Sequence, residues 1–128
     1  MPAWSEYKKI AKERGALALE LYVVQSTPAA GPEKLQKLLP DHLAYQGQLE
    51  KAGKLAFAGP MSDATGEMLQ GEGMIIYRAE TLEEARALAD ADPMHAEGGR
   101  TFTIRRWLIN EGSFTVSVGL STNQVNLA

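Results

Sequence analysis

Few groups in this chain can move a proton near neutral pH. His42 and His95 are its two histidines, there is no cysteine, and one carboxylate, Asp92, occupies an unusual place. The stretch Thr81-Leu82-Glu83-Glu84-Ala85-Arg86-Ala87-Leu88-Ala89-Asp90-Ala91-Asp92-Pro93 reads as a helix opened by a capping box, Thr81 with Glu84. Leu82, Ala85, Leu88 and Ala89 form its apolar stripe, and continuing that stripe lands on Asp92. A carboxylate is thereby aimed at the core side. It also sits at the C-terminal end of the helix, where the macrodipole disfavours negative charge by ~0.3–1 kcal/mol, so it needs a compensating partner. Pro93 ends the helix, because proline disfavours helical geometry in the residue before it. Two roles stay open for Asp92: accepting hydrogen bonds from the following loop, or serving a site.

His42 shares a helix face with Tyr45, Gln46 and Leu49, a mixture that suits a lined pocket better than a dry core. His95, just past a proline, is a second candidate acid or base, against a plain exposed loop position. Arg105 and Arg106 alternate on a strand, so at most one can face a pocket. There Arg105 would hold an anionic substrate, against exposed positions for both. Tyr45, Ser62 and Trp107 are candidate pocket lining, with core packing or surface placement as the alternatives. The histidines have neither the H-x-x-x-H nor the H-x-H spacing of a metal site, so no metal is expected. Gly71-Glu72-Gly73 leads into a strand and lacks the helix start of a phosphate cradle, so no nucleotide cofactor is expected either. With neither a cysteine nor a G-x-S-x-G elbow, a hydrolytic triad is not expected.

The elements that must position these groups follow from periodicity. Trp4 to Arg14 is a short amphipathic helix stopped by Gly15. Leu17 to Gln25 alternates as a first strand. Glu33 to Leu39 makes two helical turns, and Pro40 is placed as the first-turn proline of a separate helix, Asp41 to Ala52. Lys54 to Gly59 is a second strand, Met61 to Gln70 a loop, and Gly73 to Ala79 a third strand in a hairpin with the second. Pro93 to Gly99 is a loop. Arg100 to Ile109 is a fourth strand, with Phe102, Ile104, Arg106 and Leu108 on one face. Phe114 to Leu120 is a fifth, and Ser121 to Ala128 a loose tail or a partner-binding arm.

The 128 residues carry a net charge of −3 with 45% hydrophobic and 23% charged residues. That is ordinary globular composition without the basic surplus of a nucleic-acid binder. No stretch approaches the apolar length of a membrane span or signal core, which together with the absence of cysteine leads us to expect a cytoplasmic protein. A single domain is expected: an N-terminal helical extension over 1–16, a core over 17–109, and a C-terminal strand and tail over 110–128.

Leu39-Pro40-Asp41-His42-Leu43-Ala44-Tyr45, followed by Leu49 to Pro60 ending in Ala58-Gly59-Pro60, resembles a segment of the YCII-related family. The stretch Ala79 to Pro93, with its L-E-E-A…D-A-D-P ending, is similar to that family's second helix and signature. The resemblance implies an α+β ferredoxin-like βαββαβ fold, here with an added N-terminal helix and an extra C-terminal strand, assembled as a dimeric α+β barrel. It also implies a pocket between helices and sheet holding a His and an Asp, which carry over to His42 and Asp92. Some members are associated with dehydrohalogenation or related lyase steps on hydroxylated aromatic breakdown products. The expectation is therefore a homodimeric small-molecule lyase or isomerase in which Asp92 fixes the tautomer of His42 and His42 moves a substrate proton. The rivals are a small-molecule-binding or accessory protein without turnover, and a structural module in which the pair merely knits two helices together.

Overall fold

The structure is a computed structural model and describes residues 1–127. It forms two compact units, residues 20–107 and residues 1–19 with the chain from 108 onward.

In the larger unit the order is β1 (Leu19–Pro28), α2 (Pro32–Lys51), β2 (Leu55–Ser62), β3 (Leu69–Tyr77), α3 (Leu82–Ala91), α4 (Pro93–Ala96) and β4 (Arg100–Ile109), preceded in the chain by α1 (Trp4–Glu13). The sheet runs β2-β3-β1-β4, with β3 antiparallel to both β1 and β2. This is the expected α+β ferredoxin-like βαββαβ arrangement. Its core is built from one face of three strands, Tyr22 and Val24 of β1, Ile75 and Tyr77 of β3 and Ile104 of β4, with Leu49, Ala85 and Ala89 from the helices and Leu55 of β2 packed against it. The register pairs Tyr22 with Tyr77 and Val24 with Ile75, so Val23 and its partner Ile76 point to the opposite face.

α2 corrects the two-helix reading around Pro40: the helix is continuous for 20 residues with that proline inside it. An interior proline costs a helix ~3 kcal/mol through a lost hydrogen bond and a clash with the preceding turn. The reason the helix survives is a stripe that runs past the proline. Leu35, Leu38, His42, Tyr45 and Leu49 are all at least partly buried and recur at alternating three- and four-residue steps, while Pro40 is exposed on the other side. Breaking the helix would take Leu35 and Leu38, which lie beside Gly99, out of phase with Tyr45 and Leu49, which pack on the core. Partial burial of Leu35 and Leu38 recovers part of that penalty, since full burial would be worth ~1.5–3 kcal/mol for each side chain. The continuity holds His42 in phase with Leu49.

The hairpin is longer than its composition suggested. β3 starts at Leu69, paired with Ser62, so part of the expected Met61–Gln70 loop is strand. The turn between them is closed by Asp63, whose carboxylate accepts from the Thr65 amide and hydroxyl at 3.1 and 2.6 Å. The expected loop after Pro93 is likewise corrected, since α4 begins at that proline, a residue suited to a helix's first position.

α3 starts as its capping box requires, with Thr81 Oγ1 accepting from the Glu84 amide at 3.0 Å. The Glu84 carboxylate reaches back to the Glu80 amide at 3.1 Å.

In the smaller unit, α1 stops at Gly15, whose φ of +91° is open to glycine and strained for other residues. The Leu17 amide donates to the Asn110 carbonyl at 3.0 Å. The C-terminal region differs from the expected single strand and loose tail. β5 (Val116–Val118) and β6 (Val125–Leu127) pair as an antiparallel hairpin, with Ser117 opposite Asn126. Ala128, the last residue of that tail, lies outside the described residues.

Candidate functional site

Asp92 ends α3 and begins α4, with φ −61° and ψ 125°. The extended backbone turns the carboxylate inward, and the side chain is wholly buried at 0% exposure. Its Oδ1 accepts the Met94 amide at 2.9 Å, capping α4. The first turn of α4 thus supplies a donor exactly where the end of α3 supplies only unfavourable carbonyls. Both carboxylate oxygens lie 2.8 Å from Nδ1 of His42. Because an ionised carboxylate only accepts, these contacts assign the proton to Nδ1 and leave the Nε2 lone pair available in the neutral ring. The His42 side chain is 16% exposed. It lines a cleft of about 400 Å³ between α2 and the sheet, walled by Leu39, Leu43, Ala58, Pro60 and Met94.

A second polar cluster lies on the same cleft. Ser26 continues the inward parity of Tyr22 and Val24 on β1, and Arg100 continues that of Phe102 and Ile104 on β4; both line the cleft with His42. Ser26 Oγ accepts from Arg100 Nε at 2.8 Å and lies 2.9 Å from His95 Nε2. His95 Nδ1 lies 2.8 Å from the Ala89 carbonyl, which can only accept, so Nδ1 carries a proton, and in the neutral ring Nε2 accepts from the Ser26 hydroxyl. His95 also packs against Phe102, with ring centroids 4.7 Å apart.

Electrostatically, Asp92 dominates the core end of the site. Burial raises the Tyr77 and Tyr45 hydroxyls above the usual tyrosine range, and the negative potential of Asp92 adds to the effect in both. Both phenols therefore stay neutral. The Tyr77 hydroxyl is buried without a hydrogen-bond partner among the described residues. The Tyr45 hydroxyl donates to the Leu88 carbonyl at 2.7 Å.

Of the residues singled out from the sequence, the structure brings His42 and Asp92 together, and His95 joins the cleft through Ser26. Tyr45 ties α2 to α3 and is outside the cleft lining. Ser62 is exposed at the end of β2, its hydroxyl donating to the Asp63 carbonyl at 2.9 Å. Arg105 and Trp107 lie on the opposite face of the sheet, beside a depression shared with Val23 and Met74. Ser26 and Arg100 were not singled out. The signal for them was strand parity, because each is a polar residue that extends an inward-facing apolar series. Among the described residues no group of three or more His, Cys, Asp or Glu could hold a metal ion. No helix there is long and apolar enough to cross a membrane.

Comparison with known proteins agrees with this geometry at the level of fold. TftG of Burkholderia phenoliruptrix AC1100, a 5-chloro-2-hydroxyhydroquinone dehydrochlorinase solved in complex with 2,5-dihydroxybenzoquinone, superposes with a TM-score of 0.52 at 23% identity. The match covers 68% of this chain and 92% of TftG. The uncharacterized protein YjpA of Bacillus subtilis is 33% identical over 76 residues, spanning 59% of this chain and 82% of YjpA. YciI of Escherichia coli O6:H1 is 39% identical over 83 residues, spanning 61% of this chain and 85% of YciI. The YCII-related domain matches residues 4–108, and on that span, together with these two bacterial relatives, the chain belongs to the YCII-related family.

Proposed function

We propose that the protein is a cytoplasmic small-molecule lyase or isomerase that uses His42 as the proton-transferring base and Asp92 as the group that orients it. The observation that carries this reading is the wholly buried Asp92 holding Nδ1 of His42 at 2.8 Å while His42 lines the cleft. A base with its far nitrogen occupied and its near nitrogen facing a cavity is positioned for proton abstraction. Support of a different kind comes from TftG, a dehydrochlorinase that shares the fold. In a dehydrohalogenation the substrate's O–H or C–H bond breaks toward His42 Nε2. The electron pair so released expels the halide, and the net change is loss of HX. A small cyclic or aromatic catabolite suits a cleft of about 400 Å³.

The test is chloride release from 5-chloro-2-hydroxyhydroquinone, with muconolactone isomerisation followed in parallel. The purified protein is expected to accelerate one of these over buffer. A folded protein that accelerates neither would leave the binding or accessory role as the better description.

The same reading includes a homodimer. On the sheet face opposite α2 and α3, Phe57 is 52% exposed and Trp107 44%, the latter beside Val23 and Met74 in a depression that Gln25, Arg105 and Arg106 also line. Large aromatic side chains left exposed on a sheet face call for a cover, and a second copy supplies one most simply. Sedimentation equilibrium is expected to return twice the chain mass; a monomer at micromolar concentration would sink this part of the proposal.

A further inference from the structure

We propose that Arg100 is the oxyanion-binding residue of the cleft, so that the ligand is a small molecule carrying an ionised hydroxyl conjugated to the position His42 deprotonates. This rests on the acid–base reading of His42 and adds to it the class of substrate.

The argument begins with how the guanidinium is held. Arg100 Nε donates to Ser26 Oγ at 2.8 Å, and Nη2 donates to the Ser26 carbonyl at 2.8 Å and to the Gly71 carbonyl. Three of its N–H groups are committed to neutral acceptors, and the plane of the group is fixed. The two N–H groups of Nη1 have no partner among the described residues. Arg100 makes no ion pair there either. Asp92 is committed to His42 and Met94, and Glu72, which also lines the cleft, has an exposed side chain that forms no ion pair with Arg100 among the described residues. Burial works against the charged guanidinium, and the carboxylate of Asp92 only partly opposes that trend. A half-buried cation oriented by neutral groups and lacking a counter-charge is suited to an anionic ligand.

Ser26 makes the arrangement directional. With the His95 ring neutral and Nδ1–H donating to the Ala89 carbonyl, Nε2 can only accept, so the Ser26 hydroxyl donates to it while Oγ accepts from Arg100. The chain from Arg100 through Ser26 and His95 to Ala89 fixes the donor edge before a ligand arrives, the preorganisation that charge stabilisation requires. When the ligand's O–H or C–H bond breaks toward His42 Nε2, the electron pair moves through the conjugated system to a second carbon, while Arg100 holds the oxygen that is already ionised. Return of the proton at another carbon gives an isomer; departure of a leaving group with its bonding pair gives the elimination product.

Calorimetric titration with 2,5-dihydroxybenzoquinone and with its uncharged dimethyl ether tests the proposal. The native protein should bind the ionisable compound more tightly by about 10-fold or more, the value of one charge-assisted hydrogen bond. Arg100→Gln should abolish that preference while leaving affinity for the ether within about 2-fold, and His42→Gln should retain it. Equal affinity of the native protein for both compounds, binding of neither, or a folded Arg100→Gln that keeps the preference would each overturn the assignment. Should Arg100→Gln fail to fold, the native protein decides: affinity must fall as the ligand's hydroxyl is protonated, and a pH-independent affinity refutes the role. A preserved preference in a protein without turnover would instead sink the acid–base reading of His42 and leave Arg100 as a binding residue.

Discussion

His42→Ala is expected to lower turnover by about 10²–10⁴-fold, the contribution of a positioned general base, with ligand affinity changed far less. The reasoning is geometric. The His42 ring bridges the buried carboxylate of Asp92, at 2.8 Å from Nδ1, and the cleft that would hold the ligand. Removing the ring takes away the acceptor for the substrate proton, while Arg100 and the apolar wall of Leu39, Leu43, Pro60 and Met94 remain. The effect should therefore fall on kcat. The substitution also leaves Asp92 buried with the Met94 amide as its remaining partner, so thermal unfolding must accompany the kinetics. His42→Gln, which can donate to Asp92 from its side-chain amide, is the better-folded control. A folded His42→Gln with native turnover would show that another group moves the proton.

Asp92→Asn should separate orientation from stability. An asparagine fills the same space and can still accept the Met94 amide through its oxygen, but its amide nitrogen then faces His42 as a donor. His42 would answer by moving its proton to Nε2, which removes the lone pair from the cleft. Turnover is expected to fall by about 10²-fold or more, since the base is present in the wrong tautomer. The cost in folding stability should be about 1–3 kcal/mol, the value of a hydrogen bond to a charged group, at the lower end because His42 is partly solvated. Asp92→Ala should cost more than Asp92→Asn, because it leaves both the imidazole Nδ1 and the Met94 amide without an acceptor. Nitrogen-15 shifts of the His42 ring report the tautomer directly, with His95 as the internal reference. An unchanged ring in Asp92→Asn would refute the orienting role.

These expectations differ in how far they could be read from the chain alone. The inward aim of Asp92 follows from helix spacing, because Leu82, Ala85, Leu88 and Ala89 fix the buried side of α3 and leave the next position little choice. The cap at Thr81 and Glu84 is equally local. Strand alternation likewise placed Phe102 and Ile104 on one face. The same rule applied one step further would have pointed to Arg100, and on β1 to Ser26. Each lies at the end of its inward-facing series, where a polar side chain reads as the edge of a strand. Arg105 drew attention instead, although strand parity puts it on the face opposite to His42.

Sequence by itself determined the alternation of β1, β3 and β4, the start of α3 at its cap and the position of the inward carboxylate, because those depend on spacing within a few residues. Tertiary structure alone decided whether α2 would break at Pro40. The local cost of an interior proline favours two helices, and what opposes it is the partial burial of Leu35 and Leu38 beside Gly99, in phase with His42, Tyr45 and Leu49. It also decided which partners the polar groups found. Ser26 and Arg100 are 74 positions apart, Ser26 and His95 are 69 apart, and His42 and Asp92 are 50 apart. Such meetings depend on strand order and register, which no window of sequence contains.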